Sequence, residues 1–154
     1  EYTILTDFIL SNTDRHYNNF GFLYHPQLHR LVKMAPVFDT GNSLFYNKEI
    51  IPQGSNLLDV TVNSFKKKEV SLLEYVSKSD LVGIGKLESF PKEVYNLLTC
   101  NTDMPDERAK SISGTVQQKL EYLKLFQQGK KIWKKENRFL IRQLRIITIK
   151  HAEW

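Results

Sequence analysis

Two polar stretches, each abutting an apolar run, constrain this chain more than any other feature: Asn12-Thr13-Asp14-Arg15-His16-Tyr17-Asn18-Asn19 and, downstream, Asp39-Thr40-Gly41-Asn42-Ser43. Between them Phe20–Tyr24 and Leu31–Phe38 read as strands, joined by the turn-forming His25-Pro26-Gln27-Leu28-His29-Arg30. An antiparallel pair returns the chain to where it started, so Asp39 should come back beside the loop holding Asp14 and Asn19. Three oxygen-bearing side chains are then expected to converge around one magnesium-sized site. Each of these residues is also an ordinary turn former. The combination carries the reading, not any one member.

Phosphoryl transfer from a nucleotide needs such a set: a carboxylate to orient or deprotonate the attacking hydroxyl, and hard oxygen ligands for magnesium on the phosphates. Asp14 and Asn19 have the Asp-x4-Asn spacing of a kinase catalytic loop, and Asp39-Thr40-Gly41 stands where kinases carry Asp-Phe-Gly. The words around them, Asn12-Thr13-Asp14-Arg15-His16, Asn19-Phe20-Gly21-Phe22-Leu23 and Ala35-Pro36-Val37-Phe38-Asp39-Thr40-Gly41-Asn42-Ser43-Leu44, resemble the HipA-like serine/threonine kinases over roughly residues 7–44. The resemblance implies an ATP- and magnesium-dependent phosphotransferase acting on a protein serine or threonine hydroxyl, of a family often found in bacterial toxin–antitoxin systems. It implies Asp14 as the catalytic carboxylate and Asn19 and Asp39 as magnesium ligands. Arg15 and His16 are implied as loop braces or phosphate contacts. An antitoxin partner is implied as well, with no residues that identify it.

The fold expected is α+β, mostly α: a kinase-like C-terminal lobe over residues 1–128, with a small hairpin beside the catalytic loop and a helical bundle after it. A basic amphipathic helix or tail is expected over 129–154. A kinase also needs a lobe that covers the phosphates and supplies a lysine, and the thirteen residues before Asp14 cannot hold one. The chain therefore reads as a C-lobe whose N-lobe is supplied in cis or in trans, and it is expected to transfer little phosphate by itself.

Composition narrows the setting. With 154 residues, 41 % hydrophobic and 25 % charged, the chain can bury a core as one domain. The absence of both a long apolar run and a secretory pattern, together with one cysteine, Cys100, suggests a cytoplasmic setting. Positive charge is concentrated at the end: residues 129–154 hold eight Lys/Arg against two Asp/Glu, interleaved with Ile132, Trp133, Phe139, Leu140, Leu144 and Ile147. Such a stretch packs on its own lobe with lysines in water, or contacts nucleic acid, an acidic membrane or a partner.

Helical periodicity is expected over 1–11, 65–77, 80–89, 91–100 and 106–128, the last carrying the stripe Ile112, Val116, Leu120, Leu123 and Phe126. Residues 40–56 read as loop, with Ser43, Tyr46 and Ser55 as candidate phosphorylation sites if the segment regulates activity; Pro36 suggests a bulge or edge in the second strand. Two other readings stand beside the kinase. A pseudokinase or binding scaffold would keep the lobe without its chemistry. The single Asp39-Thr40-Gly41 also matches the aspartic protease signature, whose mechanism needs two such aspartates from all-β domains. His25 and His29 have a zinc-like spacing, but Pro26 between them favours a turn.

Overall fold

The spacing of Leu5, Phe8 and Ile9 puts three apolar side chains on one buried face of helix α1, Tyr2–Leu10. Ser11, left-handed at φ 54°, ends the helix, and the Asn12 N–H donates to the Asp7 carbonyl at 2.9 Å. The computed structural model describes residues 1–100 and 102–134. After the loop and a 3₁₀ turn at Tyr17–Asn19 comes an antiparallel hairpin of β1, Phe22–His25, and β2, Arg30–Met34. The expected hairpin is present, with shorter strands than expected.

Its irregularity is not where Pro36 suggested. Phe22 pairs Met34 and Leu23 pairs Lys33, then Tyr24 pairs Leu31, so Val32 is the extra residue. Pro36 lies past the end of β2, where a missing N–H breaks no ladder bond. The Ala35 N–H still reaches the Gly21 carbonyl at 2.8 Å, and a Cβ on Gly21 would sit 3.3 Å from that of Ala35, so glycine permits this close approach.

The core lies elsewhere, around helix α3. Helix α2, Phe90–Thr99, starts with Pro91 in its first turn, and α3 runs unbroken from Asp106 to Gln127 through Gly114. The α3 stripe Ile112, Val116, Leu120, Leu123 and Phe126 is buried throughout against Leu5 and Phe8 of α1, Leu57, Leu58, Val70 and Leu73. Gly129, at φ 82°, closes α3, and the chain folds back so that Ile132 is buried and the Trp133 ring stands 5.9 Å from that of Phe126. The rest of the basic helix expected over 129–154 lies, beyond residue 134, outside the described residues.

Two expected α-helices are replaced by tighter turns. Over 65–77 the chain first makes an antiparallel bridge, Thr61 to Lys68, and then a 3₁₀ segment, Glu69–Tyr75. Buried Val70, Leu73 and Val76 recur every three residues, the period of a 3₁₀ turn, which is read as helical without distinguishing the two kinds. Over 80–89 the structure has two short 3₁₀ turns, Ser79–Leu81 and Ile84–Leu87, on either side of Gly83. No helix among the described residues is long and apolar enough to cross a membrane.

Candidate active site

The loop between α1 and β1 is built on a buried ion pair. Arg15 donates Nε–H to Asp7 Oδ2 at 2.8 Å and an Nη2–H to Asp7 Oδ1 at 2.9 Å, with both side chains almost wholly buried. Its Nη1 donates to the Asn19 carbonyl at 3.0 Å and the Phe38 carbonyl at 2.6 Å. One guanidinium thus ties together the helix, the start of the hairpin and the residue before Asp39. Of the two roles expected for Arg15, bracing the loop is the one this geometry describes, since four of its five N–H donors are engaged inside the protein.

Asn12 is the second buried tie. Its Nδ2 donates to Asp7 Oδ1 at 2.9 Å and, more weakly, to the Asp39 carbonyl at 3.5 Å, while its Oδ1 accepts the Asp14 N–H at 3.2 Å. The backbone of Asp39 is therefore held against the loop bearing Asp14. Asp39 is exposed and left-handed at φ 54°, a conformation that Asp tolerates better than most residues.

Asp14 itself is half-buried and gripped at both carboxylate oxygens. Asn42 Nδ2 donates to Oδ2 at 2.9 Å, and Asn63 Nδ2 donates to Oδ1 at 2.6 Å. The buried Asn19 turns its Nδ2 to the Asp14 carbonyl at 2.9 Å, which makes its amide oxygen the end left to accept a cation. His16 is half-exposed, and its carbonyl caps the 3₁₀ turn through the Asn19 N–H at 3.0 Å. The Asn19 side chain meets the Asp14 backbone, and the Asp39 backbone is tied to the same loop through Asn12 and, by way of Phe38, through Arg15; these contacts fix the three backbones and not the convergence of the three side chains.

Among the described residues no group of three or more His, Cys, Asp or Glu side chains could hold a metal ion. The expected magnesium pair is different in kind, one amide and one carboxylate. Both are hard oxygen donors, and magnesium keeps several waters and takes phosphate oxygens for the rest, so the donor chemistry fits. Asp7 and Asn63 were not expected at the site, and Asn12 and Asn42, members of the two polar stretches, were given no role there. Asp7 left one signal, an acid next to Phe8 on a helix with an apolar face. Asn63 left none, standing 49 positions from its partner.

Beside the loop lies a cleft of about 640 Å³, which Thr13 and Asn63 help to line. Phe45 lines it, in a turn where Leu44 and Phe45 are both left-handed at φ 55°. Arg108 of α3 holds that turn by donating to the carbonyls of Phe45 at 2.9 Å, Tyr46 at 3.2 Å and Lys48 at 2.7 Å. Above the loop, the hairpin exposes Phe22, Tyr24, Leu31, Val32 and Met34, with Leu31 61 % exposed. The pairs Phe22 with Met34 and Tyr24 with Leu31 set four of these exposed apolar side chains across from one another on the hairpin.

Comparison of this chain with protein-family models, with curated proteins and with solved structures gave no match.

Proposed function

We propose that this chain is the helical lobe of a phosphotransferase of HipA-like kinase type, transferring the terminal phosphoryl group of ATP to a protein serine or threonine hydroxyl. The observation that carries this reading is the fixed Asp14 carboxylate, held at both oxygens on a loop that also orients Asn19 and is tied through Arg15 to the residue before Asp39. In this reading the acceptor oxygen bonds to the terminal phosphorus as the bond to the nucleotide's bridging oxygen breaks. The hydroxyl proton goes to Asp14.

Asn19 and Asp39 would hold magnesium, which supplies charge neutralisation on the phosphates when bound. Arg15 keeps the loop in register, and half-exposed His16 is the candidate for a phosphate contact. The exposed apolar hairpin would be covered by the nucleotide base and by a second lobe, in cis or in trans. That same surface favours a second reading, a binding scaffold that keeps the lobe without catalysis. Among the described residues the architecture is mostly helical with one two-stranded hairpin, unlike the all-β subunit that protease use of Asp39-Thr40-Gly41 requires.

The test is transfer of radiolabelled terminal phosphate to serine-containing proteins by the protein together with its nucleotide-covering lobe. Asp14→Asn should lower turnover roughly 10²–10⁴-fold, the usual contribution of a positioned acid or base. Turnover near that of the wild type would contradict the assignment, and no transfer by the wild type would favour the scaffold.

A further inference from the structure

The two asparagines that hold Asp14 are built alike and placed differently. The Asn42 carbonyl accepts the Thr13 N–H at 3.1 Å and the Thr13 hydroxyl at 3.3 Å, while its amide donates to Asp14 Oδ2. From the other side the Asn63 N–H donates to the Thr13 carbonyl at 2.8 Å, while its amide donates to Asp14 Oδ1. Thr13-Asp14 is thus clamped between two residues, each using a backbone group and a side chain. The terminal torsion of an aspartate is soft, so one hydrogen bond leaves the carboxylate plane free to turn. Two bonds to different oxygens fix it.

Only Asn63 of this pair lines the cleft, together with Thr13 and, among others, Asn47, Asn56, Phe45 and Pro52. The lining also holds Lys48 and Asp59, one charge of each sign, so amides and apolar side chains without net charge suit an extended segment of no net charge whose backbone needs hydrogen-bond partners. Ser43 and Ser64, which follow the two clamping residues in sequence, each keep a buried Oγ without a hydrogen-bond partner.

We propose that Asn63, which lines the cleft where Asp14 does not, is a positioning residue: it holds the Oδ1 edge of Asp14 directly behind the cleft wall, so that an acceptor hydroxyl reaching past that wall meets an already oriented carboxylate. The proposal rests on the reading of Asp14 as the group that receives the hydroxyl proton. It adds where the acceptor lies and which residue presents the carboxylate to it. Orientation matters because small misplacements of a reacting group are costly in rate.

The probes are two capped tripeptides, acetyl-Gly-Ser-Gly-amide and acetyl-Gly-Ala-Gly-amide, titrated into the ¹⁵N-labelled chain while the asparagine side-chain amide signals are followed. The serine peptide is expected to move the Asn63 side-chain signal and to bind about fivefold tighter than the alanine peptide, the size of one hydrogen bond. Asn63→Ala should abolish that preference and leave the backbone spectrum away from the loop unchanged, because the side chain is exposed and its N–H bond to Thr13 survives. Asn63→Asp, which keeps the shape and puts a like charge beside Asp14, should abolish it too. If Asn63→Ala keeps the preference and Asp14→Ala loses it, the positioning role is overturned and the role of Asp14 stands. If Asp14→Ala also keeps it, the reading of Asp14 fails. Binding of neither peptide by the wild-type chain overturns the placement of the acceptor in the cleft.

Discussion

Arg15 and Asp7 form a two-point ion pair inside the protein, at 2.8 and 2.9 Å, and this pair joins the first helix to the loop that carries Asp14. A buried charge is costly unless it is paired and hydrogen-bonded on all sides. Asp7 meets that condition through Arg15 and Asn12, and Arg15 through Asp7 and two backbone carbonyls.

Removing either partner should therefore destabilise the protein by about 3–5 kcal/mol, because the other charge is left buried and uncompensated. Arg15→Met and Asp7→Leu are the informative changes, read by urea unfolding. Arg15→Lys should not rescue, since a single ammonium cannot span both Asp7 oxygens and the Phe38 carbonyl. A loss below about 1 kcal/mol would mean that the pair does not organise the loop.

A second buried pair joins Lys119 of α3 to Glu69, with the Lys119 ammonium 4.3 Å from the Phe8 ring centroid. Burial pushes the Glu69 carboxyl up to about 7, opposed by Lys119, and Glu69 Oε1 has no hydrogen-bond partner. Burial pushes Lys119 down. Lys119→Met should cost about 3–5 kcal/mol at neutral pH, whereas Glu69→Leu with Lys119→Met together should be near neutral or stabilising.

The pH dependence of Lys119→Met has a definite sign. Without the lysine, Glu69 is pushed above about 7 in the folded state while its unfolded value stays near 4.5. Below 4.5 both states hold the proton and the variant is at its most stable. As pH rises past that point only the folded state keeps the proton, so stability falls by up to roughly 1.4 kcal/mol per pH unit until the folded group ionises. Unfolding midpoints measured between pH 4 and pH 8 should fall steadily (~4 units of pH cover the window). A flat or rising profile would contradict the burial of Glu69.

Gly114 offers a change of opposite sign. It lies within α3, and a Cβ placed there would approach nothing closer than 4.0 Å, at Gln53 Oε1. Gly114→Ala should stabilise the protein by about 0.5–1 kcal/mol, visible as a higher melting temperature. A lower melting temperature would mean that the helix needs glycine at that point.

The parts of the fold written in local pattern were legible in the sequence. Pro91 and the run to Thr99, the stripe from Ile112 to Phe126 and Gly129 after it give α2 and α3 nearly to the residue, because first-turn residues, periodicity and left-handed stops act over a few positions. The segment Glu69–Tyr75 was misjudged because a three-residue repeat serves a 3₁₀ turn as well as an α-helix. Lys119 left a readable sign, a lysine three positions after Val116 on the buried stripe, although not its partner. Asn42 stands in the stretch expected to return beside Asp14, although its bond to that carboxylate was not singled out; the amide of Asn63 was invisible, since a contact across 49 positions is fixed by the way the chain folds back and not by any neighbour in sequence.

The most direct test of the phosphotransferase reading is paramagnetic broadening by manganese with ADP, manganese standing in for magnesium. Backbone and side-chain amide signals of Asn19 and the backbone signals around Asp39 should broaden selectively in the wild-type chain. Asp39→Asn should abolish that broadening, because it removes the charged ligand, while Asp14→Asn should leave it largely intact, because Asp14 serves the hydroxyl and not the metal. Broadening centred elsewhere, or unchanged in Asp39→Asn, would contradict the account.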